Sequence, residues 1–150
     1  MRYKLGQCLE TEKSYRLSLK IIASIFLVAS LVHILWNWFF PTYTEMKGLT
    51  EIQWDWIYLL NLSTALCLFT FSILSFGVSS TTSLTLDQLR AFSALMIIFW
   101  MIRLLLELIF PVQIPVLVLP DPSLFLKVLM VTLIVILALP EVRFHIRKKK

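Results

Sequence analysis

"FWMIRLLLELIF", residues Phe99 to Phe110, decides the fold class of this chain. It reads as membrane hydrocarbon into which Arg103 and Glu107 are set, four positions apart. A helix needs roughly 20 predominantly apolar residues to cross about 30 Å of hydrocarbon. Extended back to Leu89, the run reaches that length. Three more stretches meet or approach it: Leu19 to Phe39, Trp56 to Val78 and, shortest, Ser123 to Leu139. The 150 residues are 59% hydrophobic and 15% charged, with a mean hydropathy of +0.84, too apolar for a soluble domain with a charged surface. The pattern predicts an all-α, polytopic membrane protein: one integral domain over residues 1–150, built as a bundle of four transmembrane helices.

Local signals set the boundaries. The first run is apolar and follows basic residues, yet no small-x-small cleavage site follows it and it ends in the bulky "HILWNWFF", so it reads as a retained anchor and not a secretory signal. Thr50 with Gln53, and Thr85 with Gln88, have capping-box spacing before the second and third runs. Asp121 followed by Pro122 reads as an N-cap and a first-turn proline. Pro111, Pro115 and Pro120 oppose continuous helix through "PVQIPVLVLP". Gly77 and "SSTTS" punctuate the turn between the second and third helices.

Orientation follows from the basic residues. Arg2, Lys4, Lys13, Arg16 and Lys20 precede the first run, and Arg143, Arg147 and Lys148 to Lys150 follow the fourth. Cytoplasmic flanks collect Lys and Arg, so both termini are expected in the cytoplasm. The first loop sets Lys47 against Glu45, Glu51 and Asp55, the third carries Asp121, and the short middle loop carries Arg90. Trp36, Trp38, Trp54, Trp56 and Tyr58 then form an aromatic belt at the outer surface. The net charge of +5 sits mostly at the two ends, where it orients the chain and attracts anionic lipid; nucleic acid is not an expected partner.

Depth counting brings scattered polar residues to one level. His33, Asn61, Arg103, Glu107 and Lys127 each fall roughly 5 to 10 Å below the outer end of their helix. Ser30, His33 and Asn37 share a helical face, as do Trp100, Arg103 and Glu107, while Asn61, Ala65, Ser72 and Ser75 form a small and polar stripe. These residues, with Lys127, form the candidate intramembrane polar or ligand site. Arginine before glutamate is the weaker order for a pair at this spacing, and a carboxylate near a helix C-terminus opposes the helix dipole. Glu107 therefore calls for a partner elsewhere, such as His33, Asn61 or Lys127. The first reading of the Arg103–Glu107 pair is a packing device, the second a ligand or proton site, the third snorkelling to the interface. Lys127 reads first as a snorkelling lysine, His33 as a hydrogen-bonded packing residue before a titrating switch, Asn61 as a helix-to-helix hydrogen bond, and Trp100 as a core filler.

Several chemistries find no support. Cys8 and Cys67 are the only cysteines and form no C-x-x-C, which disfavours a thiol-oxidising or quinone-linked redox enzyme. His33 and His145 do not form a pair of membrane haem ligands, and no zinc-ligand spacing, phosphate loop or serine-hydrolase signature occurs, so neither metal nor cofactor is expected. Small four-helix multidrug transporters are similar in size, but rely on a glutamate in the first membrane helix, where this chain has His33 and no acid.

The stretches "HILWNWFFP", "IQWDWIYLLNLSTALCLF" and "LMIIFWMIRLLLELIF" resemble a set of small, functionally uncharacterised bacterial inner-membrane proteins with a His near the end of helix one and F-W-x-x-R in helix three. The resemblance covers roughly the first three helices, implies four helices and a bacterial inner membrane, and highlights His33, Trp100 and Arg103. It supplies no activity. Two functional expectations follow. The first is a non-catalytic accessory or ligand-binding membrane component, surrounded by membrane lipids and associated with its own copies or with a larger membrane protein. The second is a small membrane enzyme or proton-coupled carrier for a lipophilic substrate, with Glu107 as proton acceptor, Arg103 holding an anionic group and His33 relaying the proton.

Overall fold

The structure is a computed structural model and describes residues 2–39, 51–111 and 122–148. Among them every regular element is helical: α1 (Arg2–Phe39), α2 (Glu51–Ser80), α3 (Leu86–Ile109) and α4 (Pro122–Lys148). Each contains a stretch long and apolar enough to cross a membrane, at Leu9–Leu35, Tyr58–Ser80, Leu86–Ile109 and Ser123–Ile146. Residues 40–50 and 112–121, with the expected Thr50 and Asp121 caps and the prolines Pro115 and Pro120, lie outside the described residues, as do the side chains of Trp36, Asn37, Trp38 and Trp54.

Helices and apolar runs differ at their ends for identifiable reasons. α1 has 38 residues, about 57 Å at the helical rise, well beyond the hydrocarbon thickness. Its early turns are polar, and Arg16 pairs there with Glu12 one turn back, at 2.9 Å. α2 continues through Gly77 to Ser80, so the expected turn begins later. Arg16 holds that turn: its guanidinium donates to the carbonyls of Ser79 at 3.1 Å, Thr81 at 2.7 Å and Leu84 at 3.3 Å. Carbonyls that a helix end leaves without amide donors thus gain a cation. Arg90 is helical and belongs to α3, not to the loop.

Thr85 caps α3 in a full capping box, its N–H donating to the Gln88 side chain at 2.8 Å and its hydroxyl accepting from the Gln88 amide at 3.4 Å. At the other end the Phe110 N–H reaches Leu106 O at 2.8 Å, and Pro111 follows. A residue before proline is pushed out of the helical region, as the Phe110 φ of −125° and ψ of 74° record. α4 does not stop at Leu139. It runs to Lys148 through a fully buried Pro140, which leaves the Ile136 carbonyl without its helical donor. Side-chain contacts from Glu141 and Phe144, described below, hold the turns beyond it.

The described chain forms two compact units, residues 1–19 with 78–150 and residues 20–77. In the first, α3 packs antiparallel on α4. Its buried positions are Leu89, Ser93, Met96, Trp100 and Glu107, with Arg103 half-buried. Those of α4 are Ser123, Met130, Leu133, Leu137 and Pro140. Alternating steps of three and four are the seven-residue pattern of knobs-into-holes packing. In the second unit, α1 and α2 are joined by rungs. Ser72 Oγ donates to Ala23 O at 2.8 Å, Ser30 Oγ donates to Ala65 O at 2.9 Å, and His33 meets Asn61. Phe26 and Phe71 stack obliquely between the first two rungs, with centroids 6.2 Å apart.

Ala65 is fully buried beneath the Ser30 rung, so only a small side chain lets the two backbones approach. Ala65→Leu is expected to cost about 1–3 kcal/mol through overpacking, while Ser30→Ala costs about 0.6 kcal/mol for one hydrogen bond between apolar helices. Equilibrium unfolding in mixed micelles measures both; equal effects would show that the rung, and not the close approach, sets the stability of this pair.

Candidate functional site

Glu107 is the most deeply held charge in the described chain. Its side chain is 0% exposed, whereas that of Arg103 is 39% exposed. One carboxylate oxygen accepts from Arg103 Nη1 at 3.2 Å, and the other from Ser123 Oγ at 2.9 Å. Arg103 stands one turn back on the same face of α3, and Ser123 lies in the first turn of α4. The carboxylate therefore joins the end of one helix to the start of the next. Trp100, one further turn back on that face, is buried and meets Phe99 edge-on at 5.4 Å. Lys127 is half-buried on α4, one turn beyond Ser123, and forms no ion pair among the described residues.

His33 and Asn61 belong to the second unit. Asn61 Nδ2 donates to the His33 carbonyl at 2.9 Å, which turns its Oδ1 toward the imidazole. That oxygen can only accept, so His33 Nδ1 carries the hydrogen. The contact engages both faces of the amide and fixes the rotation of α1 against α2. The stripe of Asn61, Ala65, Ser72 and Ser75 is the α2 side of this seam, with Ala65, Ser72 and Ser75 all buried.

A second ionic cluster, in the first unit, has no counterpart among the residues singled out from the sequence. Glu141 on α4 accepts from the Tyr15 hydroxyl of α1 and from Arg90 Nε of α3, the latter at 3.1 Å. Arg90 lies over the Phe144 ring, 4.6 Å from its centroid, and reaches Asp87 at 3.5 Å. His145 Nδ1 lies 3.4 Å from the other Glu141 oxygen. One carboxylate thus ties three helical segments together. Tyr15 and Glu141 are 126 residues apart, and no local periodicity relates them. Glu141 also follows a proline that reads as a helix end.

Of the sequence candidates, the structure joins Arg103 to Glu107 and His33 to Asn61, with Trp100 on the Arg103–Glu107 face. The partner that Glu107 finds on a second helix is Ser123, a residue read beforehand only as a helix start. Chemically, both groupings consist of donors matched to acceptors.

No protein-family model, curated protein or solved structure matches the chain. What can be stated of its class therefore comes from its own geometry: an all-helical chain, among the described residues, whose four helices are each long and apolar enough to span a membrane.

The exposure difference within the Arg103–Glu107 pair sets an order of mutational effects. Arg103→Ala takes the guanidinium away from a buried carboxylate, at about 3–5 kcal/mol. Glu107→Gln keeps an acceptor for Ser123 and leaves a guanidinium able to snorkel, so its cost is smaller. Unfolding free energies of the two variants in detergent test this, and the opposite order would overturn the assignment of Glu107 as the buried member.

Cutting the other cluster has a different signature. Glu141→Ala leaves Arg90 without its main counterion and the turns beyond Pro140 with the Arg90–Phe144 contact but no ionic tie. The helix end after Pro140 is expected to fray, seen as a loss of amide-exchange protection over residues 141–148 with the α3–α4 seam still protected.

Proposed function

We propose that this chain is a multi-pass integral protein of a bacterial inner membrane, with both termini in the cytoplasm, acting as a non-catalytic accessory or ligand-binding component. The observation that carries the membrane part is the apolar outer surface. The seams mix Ser30, Ser72, Ser75, Ser93 and Glu107 with Phe26, Leu89, Met96 and Leu133, whereas the exposed positions of α3 alone include Leu95, Ile98, Phe99, Ile102 and Leu105. Water would not tolerate so large an apolar surface, and lipid is a natural solvent for it. The basic residues flanking the first and fourth runs support the orientation; the resemblance to small bacterial inner-membrane proteins supports the location.

The spacing of the two clusters adds to this. Glu107 and Arg90 are 17 positions apart on α3, counting from 90 to 107, and Ser123 and Glu141 are 18 apart on α4, counting from 123 to 141. At the helical rise both separations are about 26 Å, close to the hydrocarbon thickness. Each cluster then sits near one membrane boundary. Between them, Arg103 and Lys127 are the charged residues of α3 and α4, and both lie one turn from the Glu107–Ser123 end.

The non-catalytic part rests on how the candidate groups are spent. Glu107 uses both oxygens in the α3–α4 junction, and His33 and Asn61 use each other in the α1–α2 seam. A proton acceptor for a carrier cycle needs an oxygen it can release, and here release would open a helix junction.

Reconstituted vesicles separate this reading from a proton-coupled carrier. Under the accessory reading, wild type and Glu107→Gln give the same passive proton flux, and the variant changes only the unfolding midpoint. A flux present in wild type and abolished in the variant would favour the carrier. For the topology, cysteines introduced as Lys4→Cys and Lys150→Cys in a Cys8→Ser background are expected to resist an impermeant maleimide in intact cells and to label after the membrane is opened; labelling of only one in intact cells would refute an even number of crossings.

A further inference from the structure

A cleft of about 280 Å³ opens in the first unit beside the Glu141 cluster. Lys13, Ser14 and Leu17 of α1 form one wall, and Pro140, Arg143 and Phe144 of α4 form the other. Its volume corresponds to roughly nine molecules of liquid water, enough for a compact headgroup and too little for a whole amphiphile.

Arg143 differs from the other arginines whose side chains are described. Arg16, Arg90 and Arg103 each have a carboxylate partner, Glu12, Glu141 and Glu107 respectively, within 3.2 Å. Arg143 has none among the described residues, nor has Lys13, and both are exposed. Glu10 also lines the cleft, but it already holds a partner of its own. Two cations from different helices are thus left to face one space. Below them Leu17, Pro140 and Phe144 supply an apolar surface, and the exposed Leu17 continues it outward along α1.

We propose that this cleft binds the phosphate headgroup of an anionic phospholipid, with Lys13 and Arg143 on the phosphate and Leu17 against the first carbons of an acyl chain. The inference rests on the membrane reading above. That reading sets the cleft at the cytoplasmic interface, where anionic headgroups concentrate and each nearby cation adds to their attraction. Arginine suits the ligand because its planar fork matches two phosphate oxygens at once, and lysine adds a point charge on a flexible stem. A free phosphate would satisfy the same cations but not the apolar wall.

The test uses the full chain in phosphatidylcholine nanodiscs, with phosphatidylglycerol as the probe and retained lipid read by native mass spectrometry. Wild type is expected to retain phosphatidylglycerol at least tenfold over phosphatidylcholine. The double variant Lys13→Gln with Arg143→Gln should lose that preference, whereas Lys20→Gln with Lys127→Gln, which removes two unpaired cations away from the cleft, should stay within twofold of wild type. Millimolar inorganic phosphate should not displace the lipid. Both cleft residues are exposed, and unchanged helicity with an unchanged unfolding midpoint shows that the variant folds; Arg143→Lys, retaining most of the preference, gives a second reading on a charge-preserving background. The proposal is overturned if the cleft variant keeps the preference, if the control variant loses it equally, or if inorganic phosphate abolishes it, which would make the site one for a soluble anion. An alkaline wash of native membranes keeps the two readings apart. A chain released by the wash sinks the membrane reading, whereas a chain that stays embedded but shows no lipid preference sinks only the cleft.

Discussion

Register between α3 and α4 is the constraint on which the first unit depends. Along their shared seam the side chains are mostly Leu, Met and Trp, interspersed with Ser93, and a slide of one helix past the other would exchange one apolar contact for a similar one. Two carboxylates remove that freedom. Glu107 of α3 receives the Ser123 hydroxyl of α4, and Glu141 of α4 receives the Arg90 guanidinium of α3. A displacement by one turn would break both junctions at once and take the Ser123 hydroxyl from the fully buried Glu107. Buried polar groups without partners are expensive wherever water is absent.

The second unit obtains its register differently, because its polar groups are weaker and more numerous. Ser72, Ser30 and the His33–Asn61 pair bridge α1 to α2 at successive levels, and two of these rungs end on backbone carbonyls. In a lipid solvent, apolar seam residues gain little over apolar lipid-facing ones, so close packing and interhelical hydrogen bonds carry more of the specificity. Serine fulfils both demands, being small enough to bring backbones together and able to donate to a carbonyl. Under the membrane reading proposed above, its repeated place in the seams, against Leu, Ile and Phe outside, follows from the solvent.

How much of this was legible beforehand depends on the range of the interaction. Spacing by three and four is local, so the faces containing Trp100, Arg103 and Glu107, and Asn61, Ala65, Ser72 and Ser75, could be read directly. The Thr85–Gln88 box could be read for the same reason. The need of Glu107 for a partner on another helix was also visible, from the reversed order of its pair with Arg103. Its identity was not. Three candidates at similar depth are polar enough, and Ser123 enters the sequence pattern only as the first residue of the fourth apolar run. Helix ends fell short for a related reason: hydropathy marks where a helix is apolar, whereas α1 before Leu19 and α4 after Leu139 are held by Arg16, Tyr15 and Glu141, side chains whose charge or polarity argues locally for a boundary.

Comparison of the two ends of the α3–α4 pair shows why these charges are arranged as they are. At one end α3 supplies the acid and α4 a hydroxyl; at the other α4 supplies the acid and α3 an arginine. The arrangement is satisfied only when the helices run antiparallel. In a parallel pairing Glu107 would come level with Glu141, two carboxylates in a low-dielectric seam, while Arg90 would come level with Ser123 and find no counterion from α4. Like charges brought together in this way are costly and disfavour the wrong pairing. An uncharged seam of leucines would distinguish the two orientations far less sharply. Arg103 fits the same logic from within one helix: its partly exposed guanidinium sets a cation 3.2 Å from the buried carboxylate on which the orientation depends.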